Sequence, residues 1–526
     1  MIRFWIYFIF LEACLGLQAN FPLIEQRGRV LLIIDPTLSG ALAAEIEQYK
    51  LDLMGDGWQV SQATGSRHVD CDRIDGRQDL QQPEYKANQK LIKELIHSHW
   101  SQNTNVDTVA VLVGHITVPY SGYGREDGHV DHLGAWSADS YYGDMSYYDD
   151  PDPNKGWTDF EEHINAGSNA YFHNYTGDGK WDQNNLPIEP DGSRGRLEVA
   201  IGRIDFSSLE AFIGSPLADQ AQNVAAVEVA LMRRYLAKIH AYRLKQLQFT
   251  QGISQYRNTF FSFSTMDWNT AAAAAAFGYG PDRIFHEDLF ITGACRLLGF
   301  RADAGTSDSI AAHSSANIAA GSKSPNAGFV VLAGSYFADW QTWNPWGSPL
   351  LKSCLAASNC ALTVSWSLSF NSPADCPLSL ASFASNLHYG KVLQDTFASG
   401  VGTLGETNVP PSTRTLFCLG DPTLHAFIAQ PPTGLLAATR QGSTVGLQWS
   451  STPSLSAHVY RAEGTASIPT GPWQRLTGVP INTGMFQDAT PSAFKRNWYQ
   501  VRNVETVTLG TRTGPVLSQA IMTSVQ

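Results

Sequence analysis

The amino-acid sequence predicts a mainly parallel α/β sheet with helices on both faces, followed by an all-β sandwich at the C-terminus. Through about residue 428, short apolar runs bounded by turn residues alternate with segments of helical spacing, a pattern typical of buried parallel strands. The composition changes at Gln430-Pro431-Pro432, and short alternating runs at sandwich spacing follow. A chain of 526 residues is also too long for one ordinary domain.

The first predicted strand, Val30 to Ile34, ends at Asp35. We expect Ser39 to cap the helix that follows and Gly55 to end it. One face of this helix carries apolar residues at helical spacing, namely Leu42, Ile46, Tyr49 and Leu53. A second short strand, Trp58 to Val60, comes next, and this alternation predicts parallel strands joined by right-handed crossovers.

A second amphipathic helix leads to the third predicted strand, Val109 to Val113, which ends at Gly114-His115. The side of this helix that we expect to be buried consists of Leu91, Ile92, Leu95 and Ile96. Residues 119–195 are then rich in Gly, Asp, Asn, Tyr and Trp and poor in aliphatic residues. We interpret them as a long ordered insertion at one end of the sheet, because long loops in compact domains are usually functional or disordered and the aromatic residues favour order.

The alternation resumes at a strand over Leu197 to Ile201 and continues to residue 428. Helices are predicted over Ala221 to Gln246, around Ala271 to Ala276, over Phe285 to Leu298 and around Pro349 to Ala357. The central strands should be Gly328 to Leu332 and Ala361 to Trp366, and the last strand Arg414 to Leu419. Chemistry in open parallel sheets lies at the carboxyl ends of the strands, which here carry Gly334, Ser335 and Ser367.

The segment 432–526 resembles a fibronectin type III domain. It has a proline-rich entry, no cysteine, and four runs in the usual order of that family: 434–438, 445–449, 456–461 and 497–502. The resemblance implies that Trp449 lies in the core of a sandwich and that Tyr499 belongs to its corner strand.

The N-terminus has the pattern of a secretory signal. Arg3 precedes an apolar core from Phe4 to Leu11, and Leu17-Gln18-Ala19 is a plausible cleavage site, so residues 1–19 are interpreted as the signal and residues 20–428 as the α/β domain. A lipoprotein signal ending at Cys14 is the alternative. No later segment has the ~20 apolar residues of a membrane helix. We therefore expect a secreted or cell-envelope-associated protein.

The net charge of −12 and the absence of a basic run argue against a nucleic-acid partner and against an anionic membrane surface. The six cysteines after position 19 are too sparse for a disulfide scaffold, and no pair has zinc-ligand spacing. In an oxidising compartment Cys354 could pair with Cys360 or Cys376; alternatively the thiols are buried and act as small apolar groups.

Four stretches together resemble the gingipain-type cysteine peptidases, a caspase-like α/β family. They are Gly134 to Asp144, with an Asp-x-Tyr-Tyr element, Leu197 to Ile204, with a Gly-Arg strand end, Gly334 to Phe337, and Leu419-Gly420-Asp421-Pro422-Thr423-Leu424. The resemblance implies a histidine base where this chain has Ser335 and a cysteine nucleophile where it has Ser367. The dyad is therefore expected to be absent, and the domain to be a pseudo-peptidase.

A dense group of imidazoles and carboxylates lies in the insertion. We predict a binding site formed by His115, Asp127, His129, Asp131, His132, Asp139 and Tyr141. Such groups could bind a divalent metal, or the same side chains could cap turns and pair with one another in a glycine-rich loop. We expect the segment from Gly114 to Asp144 to fold over the carboxyl ends of the strands and to form the main pocket.

Two acidic turns have spacings that suit calcium, a cation bound by carboxylate and carbonyl oxygens. Their candidate ligands are Asp149, Asp150, Asp152, Asp178 and Asp182, and solvated acidic turns are the alternative.

Two functions follow from the sequence: a non-catalytic protein that binds protein or glycan at the cell surface, or a secreted hydrolase. The hydrolase would use a rearranged peptidase site or a metal in the region of His115, His129 and His132.

Overall fold

The computed structural model describes residues 21–68, 83–124, 134–145, 197–257, 265–291, 293–336, 339–341, 348–357, 360–366, 379–400, 417–450, 455–509 and 512–526. The predicted signal, the carboxylates and imidazoles of 127–132, the acidic turns of 149–182, Ser367 and Cys376 lie outside these ranges. Within the described part of the chain, no helix is long and apolar enough to cross a membrane.

Within the described ranges, ten strands form one sheet in the order β2-β1-β3-β6-β15-β14-β13-β9-β7-β8. Up to residue 420 the strands are β1 (Gly28–Ile34), β2 (Trp58–Thr64), β3 (Thr108–Val113), β4 (Tyr120–Gly124), β5 (Gly134–Ser137), β6 (Val199–Ile204), β7 (Thr250–Arg257), β8 (Ile284–His286), β9 (Arg296–Ala302), β10 (Gly305–Thr306), β11 (Ser309–Ile310), β12 (His313–Ser314), β13 (Ala327–Ala333), β14 (Thr363–Trp366) and β15 (Leu419–Gly420). Strand β1 pairs parallel with both β2 and β3, as predicted.

Helices connect these strands. They are α1 (Pro36–Ser39), α2 (Ala43–Gly55), α3 (Pro83–Trp100), α4 (Val224–Arg243), α5 (Thr265–Phe277), α6 (Ser315–Ala319), α7 (Leu350–Ala356), α8 (Ala381–Ala384) and α9 (Tyr389–Gly400). The predicted face of α2 is buried in full, and Gly55 ends the helix as expected. Helices α4 and α5 likewise confirm the helices predicted over residues 221–246 and around residues 271–276.

Three local predictions were wrong. Asp35, not Ser39, caps the first helical turn, because Pro36 starts that turn and the Asp35 carboxylate accepts the amide hydrogen of Thr37. Residues 285–298 are not a helix; β8 and the start of β9 occupy them, separated by a turn at Asp288. Leu91 is 44% exposed, so only part of the expected face of α3 is buried.

The carboxyl ends of the parallel strands lie at one edge of the sheet, called the carboxyl edge below. Lys352, in the helix after β13, contacts Asp205, which directly follows β6. Trp366 ends β14 and stacks on Trp136, which belongs to the chain segment after β3. Strand β15 lies between β6 and β14 and runs antiparallel to β14. Strands β3, β6, β13 and β14 are buried throughout, so the sheet centre forms the core.

Residues from Thr433 onward form two antiparallel sheets. Their strands are β16 (Thr433–Gln441), β17 (Thr444–Ser450), β18 (Ser456–Gly464), β19 (Gln474–Arg475), β20 (Met485–Asp488), β21 (Arg496–Leu509), β22 (Arg512–Leu517) and β23 (Ile521–Val525). Strands β16, β17 and β20 make one sheet, and the other strands make the second. Trp449 and Tyr499 lie in the apolar core between the sheets, which confirms the predicted place of Trp449.

The C-terminal sandwich packs on the α/β body through polar contacts. Gln500 donates to the carbonyl oxygen of Met54 at 2.7 Å, and Gln519 donates to that of Asp52 at 2.9 Å. Arg502 is 1% exposed and donates to backbone oxygens of the α/β body. The sandwich therefore contacts the body through an interface of specific hydrogen bonds that includes the buried guanidinium of Arg502.

Two of the described cysteines form a disulfide. Cys295, just before β9, bonds to Cys360, just before β14. Of the alternatives that the sequence leaves open for Cys354, pairing with Cys360 does not occur, and the structure has Cys354 as a buried free thiol in α7. Cys295 and Cys360 precede strands on either side of β13, so both lie at the amino-end side of the sheet.

Candidate functional site

The carboxyl edge contains a buried chain of polar contacts that begins at His115. The ring Nδ1 of His115 lies 2.7 Å from Oδ2 of Asp205, and Oδ1 of Asp205 lies 3.1 Å from Nζ of Lys352. Nζ of Lys352 also donates to Oγ of Ser207 at 2.8 Å. None of these four residues is more than 2% exposed. The contacts hold the imidazole in one orientation at the end of β3.

The charges in this chain of contacts stabilise one another. Burial alone would raise the pKa of Asp205, but the Lys352 ammonium and the His115 ring beside it hold that pKa well below its usual range. Asp205 is therefore a carboxylate, and Lys352 lies where its positive charge is directly compensated.

A second buried ion pair fixes the segment that follows β3. Arg203 donates from Nε and Nη2 to the two carboxylate oxygens of Asp139 at 2.8 and 2.7 Å, and from Nη1 to the carbonyl oxygen of Ile116. The Lys93 ammonium donates to the carbonyl oxygen of Tyr141 and lies 4.2 Å from the centre of its ring. Asp139 and Tyr141 thus anchor the described part of the insertion to the sheet.

Tryptophans fill the edge beside these ion pairs. The rings of Trp366 and Trp136 stack with centroids 5.8 Å apart, and each side chain is only 1% exposed. Nε1 of Trp366 donates to the carbonyl oxygen of Gly334 at 3.0 Å, which joins the ends of β13 and β14. The ring of Trp340 lies against both Arg203 and Lys352. The ends of the two central strands are therefore covered by aromatic rings.

A third ion cluster lies at the end of β1. Arg67 donates to Asp35 at 2.7 Å and to both carboxylate oxygens of Glu228, at 3.1 and 2.9 Å. Burial raises the pKa of Glu228 in spite of the hydrogen bond from Arg67. This cluster ties the carboxyl edge to the first turns of α4.

The described free thiols are poor nucleophiles. Burial raises the pKa of Cys354 and of Cys418 well above the ordinary range, and the nearby Asp421 carboxylate adds to the shift at Cys418. Both residues are at most 1% exposed. Cys360 is not a free thiol either, because it forms the disulfide with Cys295.

The structure brings some of the predicted site residues together. His115, Asp139 and Tyr141 lie at the carboxyl edge, where each is buried in contacts with the sheet or with α3. Ser335, at the position implied for the histidine base, follows β13 and is 6% exposed. Within the described ranges, no group of three or more His, Cys, Asp or Glu side chains is arranged to hold a metal ion.

Sequence reasoning missed Asp205 and Lys352. Asp205 lies four residues after the end of the strand predicted over Leu197 to Ile201 and directly after the observed β6, so its place near a strand end was a usable signal. Lys352 is the single charged residue of a short, otherwise uncharged helix, and that isolation was a weaker signal. A fully buried lysine usually requires a charged partner, but the sequence does not say which carboxylate supplies it.

The fold and this edge define a protein with a mainly parallel ten-stranded α/β body and a C-terminal β-sandwich. A scan against protein-family models found no match, and a search of curated proteins found none. Among solved structures, the chain is similar to one described as a protease, with a TM-score of 0.46 and 10% identity over 96% of this chain and 98% of that chain.

Two further solved structures match only parts of the chain. One is the pectate lyase PelI from Erwinia chrysanthemi in complex with tetragalacturonic acid, with 27% identity over 17% of this chain and 27% of that chain and a TM-score of 0.13. The other is a Fn3-like protein from Clostridium thermocellum, with 23% identity over 16% of this chain and 88% of that chain and a TM-score of 0.12. None of these likenesses identifies a function for the chain.

Proposed function

We propose that this chain is an exported binding protein built on a caspase-like, gingipain-type domain that has lost its peptidase dyad. Residues 20–428 would form that domain, after a signal over residues 1–19, and residues 432–526 would form a fibronectin type III domain. The ligand would be a protein or a glycan outside the cell or at its surface. The four motifs that resemble the gingipain-type family, taken in their order along the chain, support the assignment of the domain.

One observation carries the non-catalytic part of this proposal: Trp366 stacks on Trp136 at the carboxyl end of β14. The resemblance places the cysteine nucleophile directly after Trp366 and the histidine base at Ser335. A peptide substrate would have to bring its scissile carbonyl within about 3–3.5 Å of the nucleophile. Both stacked rings are 1% exposed, so aromatic side chains cover the end of β14, where such an approach would take place.

The polar groups at the edge support the same conclusion. His115 lies at a strand end, where a general base would be expected. Its Nδ1 is within hydrogen-bond distance of the Asp205 carboxylate. A base acts only on a nucleophile within hydrogen-bond reach, and the described cysteines are either bonded to each other or buried with raised pKa values. The alternative of a secreted hydrolase, through a rearranged site or a metal near His129 and His132, therefore has less support.

Binding is assigned to the segment from Gly114 to Asp144. Its base is held rigidly, because Arg203 clamps Asp139 and Lys93 holds Tyr141. A rigid base lowers the conformational entropy lost when a loop binds a ligand. Asp127, His129, Asp131 and His132 would then supply polar contacts from the part of the segment between β4 and β5. Calcium or another divalent metal would bind there or at the acidic turns near Asp149 and Asp178.

Export is supported by two features. The apolar run after Arg3 has the form of a signal, and the Cys295–Cys360 disulfide is a bond that persists in oxidising compartments. Detecting the mature protein outside the cytoplasm, with its N-terminus near residue 20, tests this part directly.

The binding proposal is tested on a microarray of extracellular polysaccharides and matrix proteins. We expect the wild-type protein to bind at least one member, and the double variant His129→Ala, His132→Ala to lose at least tenfold in affinity while keeping its melting temperature. His286→Ala is the matched control, because His286 is exposed on the short strand β8 and should have no effect. Unchanged binding by the double variant would place the ligand site elsewhere.

A further inference from the structure

Strand β2 forms one edge of the ten-stranded sheet. All seven residues of β2, from Trp58 to Thr64, are in continuous register with β1. Among the described residues, no strand pairs with its other side. Gln59, Ser61 and Gln62 are exposed to solvent along this strand. The outer row of backbone N–H and C=O groups of β2 is thus a template for a further strand.

The opposite edge of the same sheet is protected in ways that β2 is not. Strand β8 has only three residues, and charged residues flank it at Arg283 and Glu287. The Arg296 guanidinium also covers the ring of Phe285, with its Cζ 3.6 Å from the ring centre. Short length and flanking charge are the usual protections of an edge strand against pairing. The seven residues of β2 include no charged side chain and no proline, and the register contains no bulge.

The partner that fits this edge best is a second copy of the same chain. The protein carries a net charge of −12, so two copies repel one another except where their surfaces are neutral. A strand without charge can lie against its own copy with no like-charge contact. A twofold axis through Ser61, perpendicular to the sheet, would place Ser61 opposite Ser61, Gln59 opposite Ala63 and Val60 opposite Gln62.

We propose that the protein forms a twofold-symmetric dimer through antiparallel pairing of β2 with β2 of a second copy. The two ten-stranded sheets then become one continuous sheet. A twofold axis perpendicular to the sheet points the two carboxyl edges in opposite directions. The dimer would therefore present two binding edges to the outside, one at each end of the joined sheet. This inference does not depend on whether the carboxyl edge binds a ligand or catalyses a reaction.

The test is the molar mass of the full chain in solution, measured by light scattering during size-exclusion chromatography and by sedimentation velocity. The wild-type protein is expected to be a dimer at micromolar concentration. Ser61→Lys places two ammonium groups opposite each other at the axis, so it should weaken the dimer at least tenfold. Because Ser61 is exposed, the variant should fold normally, which circular dichroism and the melting temperature verify.

Ser98→Lys is the matched control, since Ser98 is an exposed serine on α3 and should leave the dimer unchanged. A monomeric wild-type protein would overturn the proposal, and so would a dimer that Ser61→Lys leaves intact. A monomer that binds extended peptides along β2 would also overturn it, because the edge would then serve a different partner.

Discussion

Arg502 of the sandwich and Asp56 of the α/β body meet in a buried contact that joins the two parts of the chain. Nη2 of Arg502 donates to the carbonyl oxygen of Asp56 at 3.2 Å and lies 3.6 Å from its Oδ1. The same Oδ1 lies 3.2 Å from Nε of Arg27 and 3.0 Å from Nε2 of His425. These four residues, called the Asp56 cluster below, are buried together at the end of α2. One carboxylate thus compensates cations from both parts of the protein.

Replacing Asp56 by asparagine should destabilise the whole chain. The substitution leaves Arg27 and Arg502 buried without their shared anion, and breaking a buried ion pair typically costs about 3–5 kcal/mol. The free energy of unfolding from urea denaturation measures the loss. Asp282→Asn is the control, because the Asp282 side chain is 78% exposed, and it should change stability by less than about 0.5 kcal/mol. Equal effects of the two variants would contradict a role for the Asp56 cluster.

Acid should weaken the protein through the same cluster. Burial and the neighbouring Arg27 lower the pKa of His425 from 6.5 to about 4, so the folded state resists protonation that the unfolded chain accepts. Stability from this group is present above pH 6.5 and is lost as the pH falls toward 4, on the order of 3 kcal/mol in all. Below that range the Asp56 carboxylate, whose pKa the Arg27 and His425 groups lower against the effect of burial, adds a further loss.

The measurement for this pH dependence is urea unfolding at several pH values between 7.5 and 4. His425→Gln should flatten the part of the curve between about pH 6.5 and 4, because glutamine does not titrate. A variant with the same slope as the wild-type protein would assign the acid sensitivity to other groups.

The Arg203–Asp139 pair should control the order of the segment after β3. Arg203→Lys keeps the charge but loses the paired hydrogen bonds to the carboxylate, so we expect a loss of about 3 kcal/mol and faster proteolysis within residues 114–145. Arg233→Lys is the control, because Arg233 pairs with Glu45 at the surface and such pairs contribute less than about 1 kcal/mol. Mass spectrometry of limited digests identifies the cut sites. Indistinguishable digests of the two variants would refute the anchoring role.

Reduction of the Cys295–Cys360 disulfide should lower stability by about 4 kcal/mol, because the bond closes a loop across a separation of 65 residues. Peptide mapping without reductant should recover these two cysteines as one linked pair. Urea unfolding with and without reductant then gives the change in stability. Recovery of Cys354 linked to Cys360 would contradict the Cys295–Cys360 disulfide.

The sequence predicted the strands of the sheet better than its connections. Val30 to Ile34 and Val109 to Val113 are continuous apolar runs bounded by turn residues, which is typical of the buried strands of a parallel sheet. The segment 285–298 was misassigned because it is apolar without a clear period. Tertiary contacts decide it, because backbone pairing with β7 and β13 places β8 and β9 in the sheet.

The candidate site was predictable only in part. His115 was identified because it ends a predicted strand, and Tyr141 because the segment around it is aromatic. The partners that fix His115 were not identifiable, since Asp205 is 90 residues away in sequence and Lys352 is another 147 residues beyond Asp205. Hydrogen-bond partners at that separation depend on strand order, which the sequence does not state. The stacking of Trp366 on Trp136 depends on the same strand order.

The central claim is that the carboxyl edge of this α/β body does not hydrolyse peptide bonds, and a digest of a diverse peptide library tests it most directly. The purified protein is incubated with the library at neutral pH, with and without calcium and chelator, and the products are identified by mass spectrometry. We predict no cleavage above that of a buffer control. Cleavage by the wild-type protein that Ser367→Ala or Cys376→Ala abolishes would contradict the account.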